Sequence, residues 1–233
     1  MKYRILLFLL SAILLLPLLA SCGGERHDLL YSTEVDGVTY CVRGSGTRAK
    51  QLVIKQGDAL LWTTTVRVDR KVGSLRGTYG LQVLDLNFDG HLDVMIVDGV
   101  AGDCRSYLCW LKDPESGDYV ASKALTGLCN IQTDEKLKAV FAFTHSFQQD
   151  KEYADVQAAT ITTDTTTKYL WTEDGALVPE TRASITFYSE TNLYCYSVSY
   201  YNEAEKDFDD SNDKWLTPEE YAACDMSFLY YFK

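Results

Sequence analysis

Past residue 28 the apolar positions fall in short runs, many alternating with polar ones, and turn dipeptides separate them at Asp36-Gly37, Gly57-Asp58, Asp98-Gly99 and Asp174-Gly175. Alternation with a period of two marks strands that bury one face, and paired Asp-Gly residues supply the positive backbone angles of tight hairpins. Strands are expected over Val38 to Val42, Leu52 to Lys55, Leu60 to Val68, Tyr107 to Leu111, Lys138 to Phe143 and Asn192 to Tyr201. The last alternates best. Tyr194, Tyr196, Val198 and Tyr200 share one face and Cys195, Ser197 and Ser199 the other, so the aromatic face reads as core or a cross-strand stack. The threonine-rich stretch Thr160 to Lys168 lacks proline and runs straight into Tyr169-Leu170-Trp171, which makes it a strand rather than a linker. Near the end, Thr217-Pro218-Glu219-Glu220 combines an N-cap threonine, proline at the first helical position and glutamate at the third, the pattern of a capping box. A helix of about two turns should run to Cys224, with a final strand over Phe228 to Phe232. The pattern predicts an all-β fold, mostly antiparallel, of twisted blade-like or sandwich-like sheets, with one short C-terminal helix. No period repeats along the chain, so a complete propeller is not expected.

The first residues follow a different rule. Lys2 and Arg4 precede an apolar run from Ile5 to Ala20, and Leu19-Ala20-Ser21-Cys22 then gives way to Gly23, Gly24 and polar residues. Sixteen residues fall short of the roughly 18 that a membrane-spanning helix needs. Small residues directly before a cysteine resemble the bacterial lipoprotein precursor pattern. That resemblance implies a signal peptide over residues 1–21, a lipidated Cys22 and a tether over 22–28. A single β-rich domain follows over 29–233. Glycine rather than aspartate after the cysteine implies delivery to the outer membrane of a two-membrane cell.

Composition narrows the function. The formal charge of -11 becomes -13 once Lys2 and Arg4 leave with the signal peptide, and such a field repels nucleic acid. Three histidines, His27, His91 and His145, leave little for a histidine-rich metal centre or a histidine-based triad. His145 sits in a neutral stretch, Phe143-Thr144-His145-Ser146, that names no partner for a catalytic thiol. With Cys22 lipidated, six cysteines remain: Cys41, Cys104, Cys109, Cys129, Cys195 and Cys224. An even number in an exported chain without a Cys-x-x-Cys pair reads as three disulfides, and spacing leaves their connectivity open.

The sharpest local signal is Asp85-Leu-Asn87-Phe-Asp89-Gly90-His91-Leu-Asp93, flanked by apolar strand residues on both sides. Oxygen-bearing side chains at positions 1, 3, 5 and 9 can meet at one point when the glycine at position 6 allows a sharp turn. The backbone carbonyl of His91 adds a ligand, and three carboxylates suit the hard cation Ca²⁺. Ile96 stands where an EF-hand needs its bidentate glutamate, and strands replace the helices, which excludes that motif. The loop is instead similar to the calcium loops of FG-GAP repeats in integrin-type propeller blades. A second acidic run, Asp209 to Glu220, has EF-like ligand spacing with Glu220 at its twelfth position, but Lys214 occupies the glycine position. It reads as a turn leading into the capped helix.

From Gly80 to about Thr144 the phrases Asn87 to Asp93 and Trp110 to Val120 follow one another, joined by the turn Asp113-Pro-Glu-Ser-Gly117. This order resembles a bacterial lipoprotein family with a single FG-GAP-like calcium loop, some members of which resemble periplasmic lysozyme inhibitors and immunity proteins. The resemblance implies a structural Ca²⁺ on Asp85, Asn87, Asp89, His91 and Asp93. It also implies a partner-binding loop at Ser116, Gly117 and Tyr119, which match the Ser-Gly-x-Tyr string that certain inhibitors insert into the enzyme cleft. An acidic surface suits a basic, lysozyme-like cell-wall hydrolase. The expected role is therefore non-catalytic: a lipid-anchored, calcium-binding envelope protein held at the membrane through Cys22 and inhibiting such a hydrolase. The alternative is a surface module that binds glycan or matrix through exposed tyrosine and tryptophan, with structural calcium. An enzyme with paired carboxylates is disfavoured, because the clustered aspartates are accounted for as ligands and no other pair is placed face to face.

Overall fold

The computed structural model describes residues 27–46, 48–68, 80–149, 160–209 and 212–224. The expected signal peptide, Cys22 and the strand expected over Phe228 to Phe232 lie outside the described residues. Among the described residues three antiparallel sheets make up the fold. The first is a meander of β1 (Asp28–Val35), β2 (Val38–Ser45), β3 (Arg48–Gln56) and β4 (Ala59–Thr65). The second joins β5 (Leu81–Leu84), β6 (Asp93–Ala101), β7 (Cys104–Lys112) and β8 (Tyr119–Ala121) in sequence order. The third has seven strands: β9 (Gln132–Asp134), β10 (Ala139–Gln149), β11 (Thr160–Trp171), β12 (Leu177–Tyr188), β13 (Leu193–Asn202), β14 (Asp207–Phe208) and β15 (Asn212–Leu216). In it β14 and β15 both pair with β13. Two short helices, α1 (Lys123–Thr126) and α2 (Pro218–Ala223), complete the described elements.

All three sheets meet in one core. Val42, Leu52 and Ile54 come from the first, Val94, Met95 and Ile96 from the second and Val140 from the third, with Leu86 and Leu125 from connections between strands. Strand β6 runs through the middle and is buried on both faces from Asp93 to Val97. That position explains why Val94-Met-Ile-Val97 does not alternate: a strand covered on both sides has no polar face to show. The long strands β10 to β13 reach beyond this core, and a smaller cluster of Ala183 and Ile185 forms higher on the sheet, covered by Tyr194, Tyr196, Val198, Tyr221 and Cys224. The aromatic face of β13 thus forms the expected cross-strand stack, with Tyr194 lying flat on Tyr221 at 4.1 Å and 4.8 Å from Phe187. Tyr200 departs from that reading and stands 59% exposed.

The helix and most turns follow the sequence. Glu220 donates its backbone N–H to the Thr217 hydroxyl at 3.2 Å, and the Glu220 carboxylate accepts the Thr217 N–H at 2.8 Å, closing the capping box. The Glu220 carboxylate at the end of the run from Asp209 thus caps the helix, as the turn reading of that run expects. At Asp36-Gly37 both residues take positive φ, 51° and 76°, as a two-residue hairpin with right-handed twist requires. Asp98-Gly99 is a correction. These residues lie inside β6 at a register shift opposite Ser106, and the chain reverses at Gly102-Asp103 instead. A β-bulge accepts the same small and polar residues as a turn, so the dipeptide signalled the irregularity and not its type.

The disulfide framework is also corrected. A bridge joins Cys104 to Cys129, tying the start of β7 to the segment after α1, while Cys41, Cys109, Cys195 and Cys224 are free thiols. The even count misled because three of these thiols are buried side chains that pack as small hydrophobes. Alkylation of the denatured protein followed by peptide mapping should label Cys41, Cys109, Cys195 and Cys224, and in the native state Cys224, the only one of the four not buried, should label first. Six blocked cysteines would restore the three-bridge arrangement.

Candidate functional site

The Asp85–Asp93 loop joins β5 to β6, and its side chains first build the turn itself. Asp85 accepts the N–H of Asp89 through Oδ1 at 3.2 Å and that of Gly90 through Oδ2 at 2.9 Å. Asp89 accepts the His91 N–H at 2.8 Å, and the Asn87 side-chain amide donates to Asp89 at 2.9 Å. Phe88 and Gly90 sit at φ 62° and 86°, the left-handed conformation that lets successive amides point inward, and Gly90 adopts it without a Cβ penalty. Asp85, Asn87 and Asp89 are therefore brought together as the sequence requires. His91 contributes its backbone; its ring stands half-buried at the edge.

Asp93 occupies a different environment. Its side chain is fully buried, with Oδ2 accepting the Leu86 N–H at 2.7 Å and Oδ1 the Lys112 N–H at 2.8 Å. Burial pushes its carboxyl up to about 7, with the negative charges of Asp89 and Asp85 adding to the rise and the two backbone hydrogen bonds opposing it. Nearby, burial and the Asp93 charge push the Cys109 thiol up to about 12. The Leu86 carbonyl accepts the Trp171 indole N–H at 2.8 Å, so the loop is anchored to the seven-stranded sheet as well as to β7. Trp171 is a contributor that sequence reasoning missed, because it stands 85 residues from its partner.

The donor set is all oxygen, with three carboxylates crowded on one turn, which is the chemistry a hard divalent cation accepts. Each carboxylate oxygen holding an amide keeps a second lone pair for a metal. As it stands the loop is closed by its own amides, and among the described residues no group of three or more His, Cys, Asp or Glu side chains is arranged to hold a metal ion.

The second predicted site is the β7–β8 hairpin. Asp113 Oδ1 accepts the N–H groups of Glu115 and Ser116 at 2.8 and 3.2 Å, which holds its carboxyl below the usual range. Gly117, at φ 74°, donates to the Asp113 carbonyl at 2.8 Å. Pro114 to Asp118 are exposed, so Ser116 and Gly117 are presented to solvent. Tyr119 is not. It is 7% exposed, with its hydroxyl 3.4 Å from that of Tyr40 and its ring 5.2 Å from Trp62. The expected four-residue insertion loop therefore loses its aromatic member to the core, where alternation along β8 turns Tyr119 inward and Val120 outward.

His145 has partners that its neighbours in sequence do not show. Its Nδ1 lies 2.7 Å from Asp164 Oδ1 on the paired strand β11, and Nε2 lies 3.9 Å from Asp103 at the β6–β7 turn.

No family model matches the chain, and no curated protein matches it. A solved structure described as "Structure of a Xanthomonas Type IV Secretion System related protein" is similar to it at 13% identity and a TM-score of 0.49, over 79% of this chain and 97% of that one. At that score the likeness carries no argument about function.

The hydrogen bond to the Asp164 carboxylate raises the pKa of His145 above its ordinary 6.5, with desolvation opposing the rise and the charges of Asp164 and Asp103 adding to it. A group whose folded pKa is raised contributes stability that is full below the unfolded value and is lost as pH rises through the folded one. NMR titration should therefore place the His145 midpoint above 6.5, and Asp164→Asn should lower it. A midpoint at or below 6.5 in the wild type would contradict the pairing.

Proposed function

We propose that this chain is a lipid-anchored protein of the bacterial cell envelope that works by binding and not by catalysis. In this reading Asp85, Asn87, Asp89, the His91 carbonyl and Asp93 hold a structural Ca²⁺. The exposed β7–β8 hairpin engages a basic, lysozyme-like peptidoglycan hydrolase. The observation that carries it is the loop: three carboxylates share one turn, and the last is fully buried in the middle of the core. Bound Ca²⁺ would supply the positive charge that offsets their mutual repulsion and fix the junction of β5 and β6. The lipid anchor rests on Leu19-Ala20-Ser21-Cys22.

The hairpin supports the partner by its charge. Glu115 and Asp118 flank the exposed Ser116 and Gly117, so the tip presents acid to a basic surface, and complementary charge speeds encounter. With Tyr119 in the core, contact runs through Ser116, Gly117 and these two acids.

The test is a thermal melt of the full-length protein in detergent, with and without Ca²⁺, beside Asp89→Ala. For an extracellular site with a dissociation constant on the order of 10⁻⁴ to 10⁻³ M, 10 mM Ca²⁺ stabilises by about 1.4 to 2.7 kcal/mol. The wild type should therefore melt several degrees higher with Ca²⁺ and the variant should not. In a peptidoglycan-clearing assay Glu115→Lys combined with Asp118→Lys should weaken inhibition of a basic lysozyme. An unchanged melt in the wild type would remove the calcium site, and absence of inhibition would remove the partner.

A further inference from the structure

The upper half of the seven-stranded sheet, beyond the shared core, carries two hydroxyl-rich rows on one face, with the buried Cys195 between Thr186 and Trp215. Strand pairing sets Ser146, Thr163 and Thr186 side by side in one row across β10, β11 and β12. Two residues along each strand, and hence on the same face, Thr144, Thr165, Ser184 and Ser197 form a second row reaching β13. The rows are held in place by their own hydrogen bonds: the Thr163 and Thr186 hydroxyls lie 3.1 Å apart, and Ser197 donates to Asp213 on β15 at 2.7 Å. Asp213 is the one charged side chain in either row. At the edge of the sheet Trp215, opposite Cys195 and so in line with the first row, is 53% exposed, and its ring centroid lies 5.2 Å from that of Tyr188 at a tilt of 40°.

We propose that this face binds an uncharged glycan chain, with Trp215 and Tyr188 as the stacking platform and the serine and threonine rows as the hydrogen-bonding floor. Three features select that ligand. A pyranose ring has an apolar C–H face, which seats on an aromatic ring, and a rim of hydroxyls that both donate and accept, as serine and threonine hydroxyls do. A protein partner would instead call for an aliphatic interface centre, whereas here Ile161 and Leu193 are confined to the row beside Tyr188 and the centre of the face is serine and threonine. Charge is the third: the chain carries -11 overall, yet the two rows hold one charged side chain, Asp213, so the face is complementary to an uncharged polymer and not to a polyanion or a polycation. The rows span five strands, about 19 Å at ~4.8 Å per strand, enough for several sugar units. Eight residues of β11 separate Thr163 from Trp171 at the calcium loop, about 26 Å at ~3.3 Å per residue, so the glycan face is separate from the proposed Ca²⁺ and hairpin sites.

Calorimetric titration tests this with the full-length protein in a polyoxyethylene detergent, which carries no sugar to compete. The probes are two uncharged hexasaccharides, the N-acetylglucosamine hexamer and cellohexaose. At least one should bind. Trp215→Ala should weaken binding tenfold or more, Trp215→Phe should stay within about threefold, and Thr186→Val, which removes a hydroxyl at nearly constant shape, should weaken it independently of the tryptophan. Binding should be unchanged in 1 M NaCl, in chelator and in Asp89→Ala, so a failed calcium loop and a failed glycan face give different results. No heat with either hexamer at millimolar ligand would overturn the proposal. So would unchanged binding in Trp215→Ala, or an affinity that collapses in salt and so belongs to a charged partner.

Discussion

A single buried carboxylate, that of Asp93, joins the parts of this molecule. Removing a charged group from water costs several kcal/mol, and a hydrogen bond to a charged group contributes about 1.5 to 3 kcal/mol. One amide from the β5–β6 loop and one from β7 offset only part of that cost, so burial, with the charges of Asp89 and Asp85 adding to it, still pushes the Asp93 carboxyl up to about 7. What the arrangement secures is position. Leu86 is held by its N–H to Asp93 and by its carbonyl to Trp171, so one fully buried residue pins the second sheet to the third. The aspartates of the loop then stand over the core by geometry that their own turn could not impose.

The balance gives the proposed ion its role. A carboxylate that is nearly neutralised by burial, beside two others that share the turn, is a place where positive charge strengthens structure already present. The loop needs no cation to close, since its amides already satisfy it, so Ca²⁺ is proposed as a reinforcement of the β5–β6 junction and not as its cause. The acidic hairpin lies on the next connection of the same sheet and inherits that rigidity through β7. The hydroxyl face belongs to strands that extend away from the core, where nothing apolar has to be covered and the side chains are available to a ligand. The two proposed binding surfaces, of different chemistry, thus sit on one scaffold.

Much of this was legible in the sequence. Alternation in β13, the turns at Asp36-Gly37 and Asp174-Gly175, the threonine-rich β11 and the capping box at Thr217 are local signals, decided within a few residues, and the structure has each where its pattern put it. What was not legible depends on contacts far apart in the chain. Asp98-Gly99 has turn chemistry but lies in a bulge, because pairing with β7 continues through it. Six cysteines suggest three bridges, but among the described residues only Cys104 and Cys129 are brought together, and three of the other four are buried as packed side chains. Tyr119 reads as part of an exposed loop until β8 pairs with β7 and turns it toward Tyr40. Neither Trp171 nor the Asp164 beside His145 could be found by spacing, since both act across strands. At the candidate loop the residue types and order were readable, while the buried state of Asp93 was not.

Backbone amide exchange, read residue by residue by NMR, tests the role of Asp93 most directly. If its carboxylate holds both amides, those of Leu86 and Lys112 exchange as slowly as the core of β6 in the wild type. In Asp93→Ala, which removes both acceptor oxygens, both accelerate together, while amides of the Thr217 capping box do not change. Rapid exchange at either amide in the wild type, or acceleration at only one in the variant, would contradict the account.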